Sequence, residues 1–148
     1  MTIIGSITTF TVTPSSGING ASTSYLVSAV STIPQISTDY LTLTFPSSIT
    51  LPVSLTCSAS TSVSSVSCSY SGSTVTATFT FSSGTVALGT TFAFYVNSVT
   101  NPTSTTPTSA FTNIATYTSA AIEIASYSGS SVIVTDTTAA TVSTKSLT

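Results

Sequence analysis

Apolar residues alternate with hydroxyl-bearing residues, at a period of two, through most of this chain. The run VTATFTF places Val75, Phe79 and Phe81 on one side of an extended backbone and threonines on the other. The runs YLTLTF, TFAFYV and SYLVSAV repeat the pattern. This alternation, rich in β-branched and aromatic residues, is typical of strands with one buried face. Since no long window shows a period of 3.6, the sequence predicts an all-β protein.

Turn-forming residues separate the alternating runs, as in PSSGING, FPSS, YSGS and YSGSS. Their spacing predicts roughly nine or ten strands, which suits an antiparallel sandwich of the immunoglobulin-like kind. A small closed β-barrel is the alternative. We expect residues 1–129 to form a single Ig-like β-sandwich domain that includes a short N-terminal extension. Residues 130–148 are expected to form a C-terminal strand or extension.

Charge is almost absent from the chain. It holds one Lys or Arg, three Asp or Glu and no His, whereas 32 Ser and 34 Thr supply the polar half of the pattern. Mean hydropathy is +0.53, and such a sequence is expected to fold, because disorder goes with low hydropathy and high charge. A single cation cannot neutralise a phosphate backbone, so nucleic acid is excluded as a partner. No apolar run approaches the ~18 residues of a spanning helix, so membrane insertion is not expected.

Two cysteines, Cys57 and Cys68, flank a serine-rich stretch, and each continues an alternating run. We expect two strands joined by a turn to bring them opposite each other, so a local disulfide is predicted. Two thiols without histidine lack a ligand set for zinc, and two free buried thiols are the alternative. A disulfide indicates an oxidising compartment, which places the protein outside the cell or on its surface.

The chain lacks the residues that catalysis requires. No histidine is present to activate a serine, and the carboxylates are Asp39, Glu123 and Asp136. The sequence around Asp39 and Asp136 is typical of turns, and the alternation around Glu123 indicates a solvated strand position. A calcium site built from two of these carboxylates is the one metal alternative. We therefore predict no enzyme activity, no cofactor and no metal.

The stretch NPTSTTPTS, residues 101–109, carries six hydroxyl side chains, two prolines and no charge. No asparagine of the chain stands in an Asn-x-Ser/Thr acceptor sequence, because Asn101 is followed by proline and the others lack the hydroxyl residue. An extended, proline-stiffened hydroxyl loop favours O-linked glycans, with an unmodified polar loop as the alternative. The candidate acceptors are Thr103, Ser104, Thr105, Thr106, Thr108 and Ser109.

Several of these features occur together in a recognisable order. A TLTFP strand, the Cys–Cys hairpin, GTTFAFYV and then VTNPTST followed by SAF resemble Ser/Thr-rich modules of secreted surface proteins of eukaryotic microbes, ciliates in particular. The resemblance covers residues 7–124. It implies an adhesive or fibre-forming structural protein with an immunoglobulin-like fold, and it carries no catalytic residues with it.

Uncharged strands of high β-propensity should adhere to one another unless their edges are covered. Dense glycosylation or ordered polymerisation would each cover them. We predict a structural subunit of an extracellular filament or surface coat, with protomers joined head to tail by β-strand addition, as in donor-strand complementation. The C-terminal residues 131–138, with Val132, Ile133 and Val134, are the first candidate donor, and Ile3 and Ile4 are the second.

The same sequence pattern is compatible with three other interpretations. Residues 131–138 could instead form the last strand of their own domain. An adhesin or carbohydrate-binding module is the alternative function, for which glycans would be the partner and Tyr40, Tyr95 and Tyr127 the candidate sugar-facing residues. An ice- or surface-binding protein would need Thr-x-Thr rows on several strands, which TVTATFTF and TLTF approach.

Overall fold

The computed structural model describes residues 4–135, and within this range it contains strands and turns but no helix. The predicted all-β class is confirmed. The eleven strands are β1 (Gly5–Pro14), β2 (Ser22–Ser31), β3 (Gln35–Ile36), β4 (Tyr40–Thr44), β5 (Cys57–Ala59), β6 (Val63–Ser71), β7 (Thr74–Phe81), β8 (Thr85–Val86), β9 (Thr91–Thr100), β10 (Thr112–Tyr117) and β11 (Glu123–Tyr127). Nothing helical in the described range has the length and apolarity to cross a membrane.

Backbone hydrogen bonds join nine of the strands in the order β5-β9-β2-β1-β11-β10-β4-β7-β6, and β3 pairs with β8 separately. Every neighbouring pair is antiparallel except β1 and β11, which run parallel. The sheet folds over on itself. Aromatic rings on β7 contact rings on β9, although these two strands are far apart in the strand order. The result is the predicted β-sandwich, with an almost closed sheet that also resembles the alternative barrel.

The core consists of the apolar positions that the period of two assigned to the buried face. Phe79 on β7 packs edge to face against Phe92 and Phe94 on β9, with ring centroids 5.5 and 5.4 Å apart. Phe81 makes a similar contact with Phe92 at 5.8 Å. Each such pair contributes about 0.5–1.5 kcal/mol beyond its buried area. This cluster of aromatic rings, which contains no charged side chain, packs the two layers of the sandwich against each other.

The disulfide between Cys57 and Cys68 is present, which confirms the predicted bridge. Its position differs from the expected hairpin, because β5 pairs with β9 and β6 pairs with β7. Residues 60–62 turn a corner between the layers, and Ser62 adopts a positive φ of 61° there. The bridge therefore joins the two end strands of the nine-stranded sheet, with a Cα–Cα distance of 5.8 Å.

The sequence predicts that an alternating strand leads into Cys57, and this prediction is wrong. The segment before β5 is irregular, and Val53 is 96 % exposed although the pattern places it on the buried face. Pro52 lacks an N–H group for a strand ladder, and it directly precedes Val53. Strand β5 is consequently limited to three residues.

The strands run between two ends of the sandwich. We call the end at which β1 begins the N-terminal pole; it carries the loops of residues 32–39, 82–90 and 118–122. The other end, the C-terminal pole, carries residues 15–21, 45–56 and 101–111. Because residues 130–133 follow β1 in the same direction, the described chain enters at one pole and leaves at the other.

Candidate functional site

The segment of residues 131–135 packs against its own chain. The backbone N–H groups of Phe111 and Thr108 donate to the carbonyls of Val132 and Val134, both at 2.9 Å. The N–H of Val134 donates in return to the Thr108 hydroxyl at 3.0 Å. Val134 is buried, Val132 is partly buried and Ile133 is 48 % exposed. In this arrangement the valines fill pockets of their own domain, as the intramolecular alternative describes.

A role of these residues between protomers stays a prediction. Of the N-terminal candidates, Ile4 is 54 % exposed at the N-terminal pole, and Ile3 lies outside the described residues.

A slot opens between β1 and the chain that follows β11. The parallel pairing of β1 with β11 covers Gly5, Ser6 and Ile7, opposite Ala125, Ser126 and Tyr127. Beyond this point the two segments continue side by side but separate. The space between β1 residues 10–13 and residues 130–133, here called the β1 slot, has a volume of about 370 Å³.

Tyr127 and Gly129 explain why the strands part. The Tyr127 hydroxyl donates to the Ser130 carbonyl at 3.0 Å, and its ring lies 5.8 Å from that of Phe10. Gly129 covers the Tyr127 ring so closely that a Cβ atom at this position would lie 2.6 Å from it. The chain therefore arches over the tyrosine and leaves the hydrogen-bonding plane of β1.

The backbone of β1 presents an open edge to the slot. In an antiparallel pair, opposite residues alternate between hydrogen-bonded and non-hydrogen-bonded positions. The N–H of Ser15 donates to the carbonyl of Ser24 at 2.8 Å, so every second residue of β1 counted back from Ser15 is hydrogen-bonded to β2. By this alternation the N–H and C=O groups of Phe10 and Val12 point away from β2 and into the slot.

Within residues 4–135, no backbone hydrogen bond outside the strand ladders reaches these groups of Phe10 and Val12. Pro14 occupies the next slot-facing position, where its missing N–H costs no ladder bond. The floor of the slot is apolar, since the side chains of Phe10 and Val12 are buried and Val132 is partly buried. Within residues 4–135, β1 thus has a free backbone edge beside an apolar floor, which is the geometry that β-strand addition requires.

The hydroxyl loop stands on a fixed base at the C-terminal pole. Asn101 is buried, and its Nδ2 donates to the carbonyls of Ser16 at 2.7 Å and Ile18 at 2.8 Å. The Tyr25 hydroxyl donates to Asn101 Oδ1 at 2.6 Å. Residues 103–107 and 109 are exposed above this base.

Thr108 differs from the five other candidate acceptors. Its side chain is buried, and its hydroxyl accepts the N–H of Val134. A glycan at this position would displace the segment of residues 131–135. Thr103, Ser104, Thr105, Thr106 and Ser109 remain accessible candidates for modification.

The two carboxylates of residues 4–135 lie in different elements of the fold. Asp39 is buried in the turn before β4, where it accepts the Ile36 N–H at 2.8 Å. Burial raises the pKa of Asp39, against a smaller lowering by this hydrogen bond. Glu123 begins β11, and Asp136 lies outside the described residues. No group of three His, Cys, Asp or Glu side chains that could hold a metal occurs in residues 4–135.

The three tyrosines considered for sugar binding lie on different strands. Tyr40 on β4 stacks on Tyr117 with centroids 5.2 Å apart, and Tyr127 on β11 contacts Phe10. Tyr95 lies on β9 in the other layer. The structure does not bring them to one face.

Sequence reasoning did not identify the β1 slot or the residues that form it. Pro14 at the end of an alternating run signals an unpaired edge, and YSGSS signals a break in the last strand. Neither signal shows which strands lie on the two sides of the break, because strand order is a tertiary property.

Comparisons with known proteins leave the class of the molecule to be defined by its own fold. No protein-family description matches the chain, and no curated protein matches it. Among solved structures, the chain is similar to a non-cellulosomal cohesin from the hyperthermophilic archaeon Archaeoglobus fulgidus. The TM-score is 0.49 and the identity 14 %, over 80 % of this chain and 86 % of the cohesin.

The described residues thus form an all-β sandwich with a disulfide, in which one edge of β1 is open within residues 4–135. The resemblance to Ser/Thr-rich modules of eukaryotic microbes extends no further than the sandwich, since no relative in sequence supports it.

Proposed function

We propose that this protein is a structural subunit of an extracellular filament or surface coat, whose protomers join head to tail by β-strand addition. The observation that carries the proposal is the β1 slot. There the backbone groups of Phe10 and Val12, which have no partner outside the strand ladders within residues 4–135, lie above an apolar floor. Strand addition at such an edge gains main-chain hydrogen bonds and buries alternate side chains.

The direction of the described chain supports a head-to-tail arrangement. The described range begins at the N-terminal pole and leaves at the C-terminal pole, so stacked copies would bring the last described residues of one copy near the first described residues of the next. Contacts between two different surfaces that do not close into a ring generate a filament. Both poles carry exposed apolar side chains that stacking would cover: Ile4, Ile36, Leu88 and Ile122 at one, and Ile18, Val53 and Ile133 at the other.

The near absence of charge also favours self-association. Natural sheets protect open edges with lysine, proline or inward charges, and a high net charge keeps copies apart. The ionisable carboxylates of residues 4–135 are Asp39 and Glu123, and Asp39 is buried. Little repulsion therefore opposes the packing of one copy on another.

The disulfide supports the extracellular compartment of this proposal. A disulfide persists in oxidising surroundings, which supports an exported protein. The exposed hydroxyls of the loop at residues 103–109 supply acceptors for O-linked glycans, which would protect the sides of a filament while leaving the poles free.

Electron microscopy of the native material and of the purified chain tests the proposal. Ten-residue strands at ~3.3 Å per residue, with loops at both poles, predict filaments with an axial repeat of roughly 35–45 Å. Sedimentation at increasing protein concentration should show growth beyond any closed oligomer. Monomers alone, in native material and at every concentration of purified protein, would overturn the proposal.

A further inference from the structure

We infer that the outer face of β10, β4, β7 and β6 binds a neutral polysaccharide, along a site that runs from Asn113 to the tyrosine pair Tyr40 and Tyr117. This face, here called the threonine face, consists of the half-buried and exposed positions of these alternating strands. It combines a groove, an exposed amide and two stacked aromatic rings. Binding there would not depend on strand addition at the β1 slot, so a single copy of the chain would suffice.

A groove borders the threonine face at the C-terminal pole. It has a volume of about 310 Å³ and lies between residues 110–114 and residues 129–132. Phe111 and Ile114 give it apolar walls, and Tyr127 adds an aromatic ring. Ligand pockets combine walls of this kind with a small number of polar groups. The groove therefore suits one end of an uncharged ligand.

Asn113 is exposed where the groove meets the threonine face. Its φ is 52°, and it lies in the β-bulge at which the pairing of β10 with β4 shifts, between Thr112 and Ala115. Bulges redirect side chains, and here the Asn113 Nδ2 donates to the Thr44 hydroxyl at 2.9 Å. Its Oδ1 has no partner within residues 4–135. The amide therefore keeps an acceptor and a second N–H for the hydroxyl groups of a ligand.

Hydroxyl groups continue this polar surface across the neighbouring strands. Thr44 lies opposite Thr112 on one side and Thr74 on the other, and the Thr44 and Thr74 hydroxyls are 2.8 Å apart. The next outward residue of β4, Thr42, donates its hydroxyl to the Asn113 carbonyl at 2.9 Å. Because these side chains are already held by hydrogen bonds, they would lose little conformational entropy when they bind sugar hydroxyls.

Tyr40 and Tyr117 supply an aromatic surface farther along the same strands. They lie opposite each other on β4 and β10, and their partly exposed rings stack with centroids 5.2 Å apart. Aromatic rings can pack against the apolar C–H faces of sugar rings. Four residues of β4 separate Tyr40 from Thr44, a distance of about 13 Å, which is longer than one sugar ring. The site thus suits a chain of sugars better than a monosaccharide.

The charge of the face favours a neutral ligand. Strands β4, β6, β7 and β10 contain no charged residue, and Glu123 stands opposite Tyr117 on the neighbouring β11. Residues 4–135 contain no Lys, Arg or His that could pair with the carboxylates of an acidic glycan. A peptide cannot join β4 or β10 as an added strand, because each already has a strand on both sides.

The threonine rows of β4 and β7 suit ice less well than a polysaccharide. The Tyr40 ring stands in one of these rows, opposite Thr78. Adjacent strands are also rotated by about 20–25° relative to each other, so rows of hydroxyls on four strands fan out. The face therefore lacks a flat, unbroken lattice of threonines.

Binding of the unglycosylated full chain to purified polysaccharides tests the inference. The neutral probes are cellulose, chitin, mannan and β-1,3-glucan, and polygalacturonate is the acidic control. At least one neutral polysaccharide should retain the chain in a pull-down assay, and polygalacturonate should not. A six-sugar fragment of the bound polymer should bind roughly 10-fold more tightly than its monosaccharide, because only the fragment reaches both the groove and the tyrosines.

Asn113→Gly, with Ser98→Gly as a matched control, locates the site. Both residues are exposed and have a positive φ, 52° and 58°, but Ser98 lies on β9 in the other layer. Glycine adopts such a φ without steric cost, so neither substitution should lower the midpoint of urea unfolding. Asn113→Gly should weaken binding roughly 10-fold through its lost hydrogen bonds, and Ser98→Gly should not. At the aromatic end, Tyr117→Leu should weaken binding and Tyr95→Leu on β9 should not.

A chain that none of the neutral polysaccharides retains overturns the inference. So does binding that survives both Asn113→Gly and Tyr117→Leu, or retention by polygalacturonate in place of the neutral polymers. Because dilute monomer is used, these outcomes are separate from those of the proposed function. Filaments of a chain that binds no polysaccharide leave the filament role standing, and a monomer that binds through Asn113 supports the inference even if it never assembles.

Discussion

Removing the disulfide should lower stability by an amount that its place in the chain allows to be calculated. The bridge joins Cys57 and Cys68 at a sequence separation of 11. The chain-entropy relation gives about 3 kcal/mol for a loop of this size, because the open chain gains conformations mainly in the unfolded state. The double substitution of both cysteines by serine should therefore reduce the free energy of unfolding by about 3 kcal/mol.

Urea unfolding followed by tyrosine fluorescence and circular dichroism measures this loss. With a slope of about 2 kcal/mol per molar urea, the midpoint should fall by about 1.5 M. Reduction of the unsubstituted protein should give the same shift, which serves as the control for the serine side chains. A midpoint that moves by less than about 0.3 M would refute the reasoning, as would free alkylation of both thiols in the unreduced native protein.

Three further predictions concern the turn, the docked segment and the loop. Because burial raises the pKa of Asp39 above 3.8, the folded state binds its proton more tightly than the unfolded chain, and stability falls as pH rises through the folded pKa. Asp39→Asn should raise stability at neutral pH and flatten the dependence in urea titrations; an unchanged pH profile contradicts this. Val134→Ala should cost about 2 kcal/mol and Ile133→Ala less than about 0.5, measured by thermal unfolding, and equal costs contradict the docked position. Mass spectrometry of native material should find glycans on residues 103–109 but not on Thr108, and a bare peptide contradicts modification.

The strands and the core follow closely from the alternation of the sequence. The period of two places four phenylalanines on the buried faces of their strands, and the structure buries every one of them: Phe79, Phe81, Phe92 and Phe94. Local chemistry also sufficed for the disulfide. The expected Cys–Cys hairpin was wrong, because alternation reports which face of a strand is buried and not which strand lies beside it.

The candidate site depends on information that no single run of sequence contains. The β1 slot exists because β11 follows β1 for three residue pairs and then departs at Tyr127. Predicting it would have required knowing that the first and last strands are neighbours. The expected burial of Val53 failed for a related reason: the segment is not a strand, so Leu51 and Leu55 pack against the core while Val53 between them is exposed.

The parallel pairing of β1 with β11 has a mechanical consequence. The first and last strands of the described range lie side by side and point the same way, and this range begins at one pole and leaves at the other. Tension applied through the two ends pulls these strands along their lengths, in opposite senses. The hydrogen bonds between them are then loaded together in shear, so none can break first as in unzipping. A thread of such units should yield by abrupt release of whole domains under force and should resist gradual peeling.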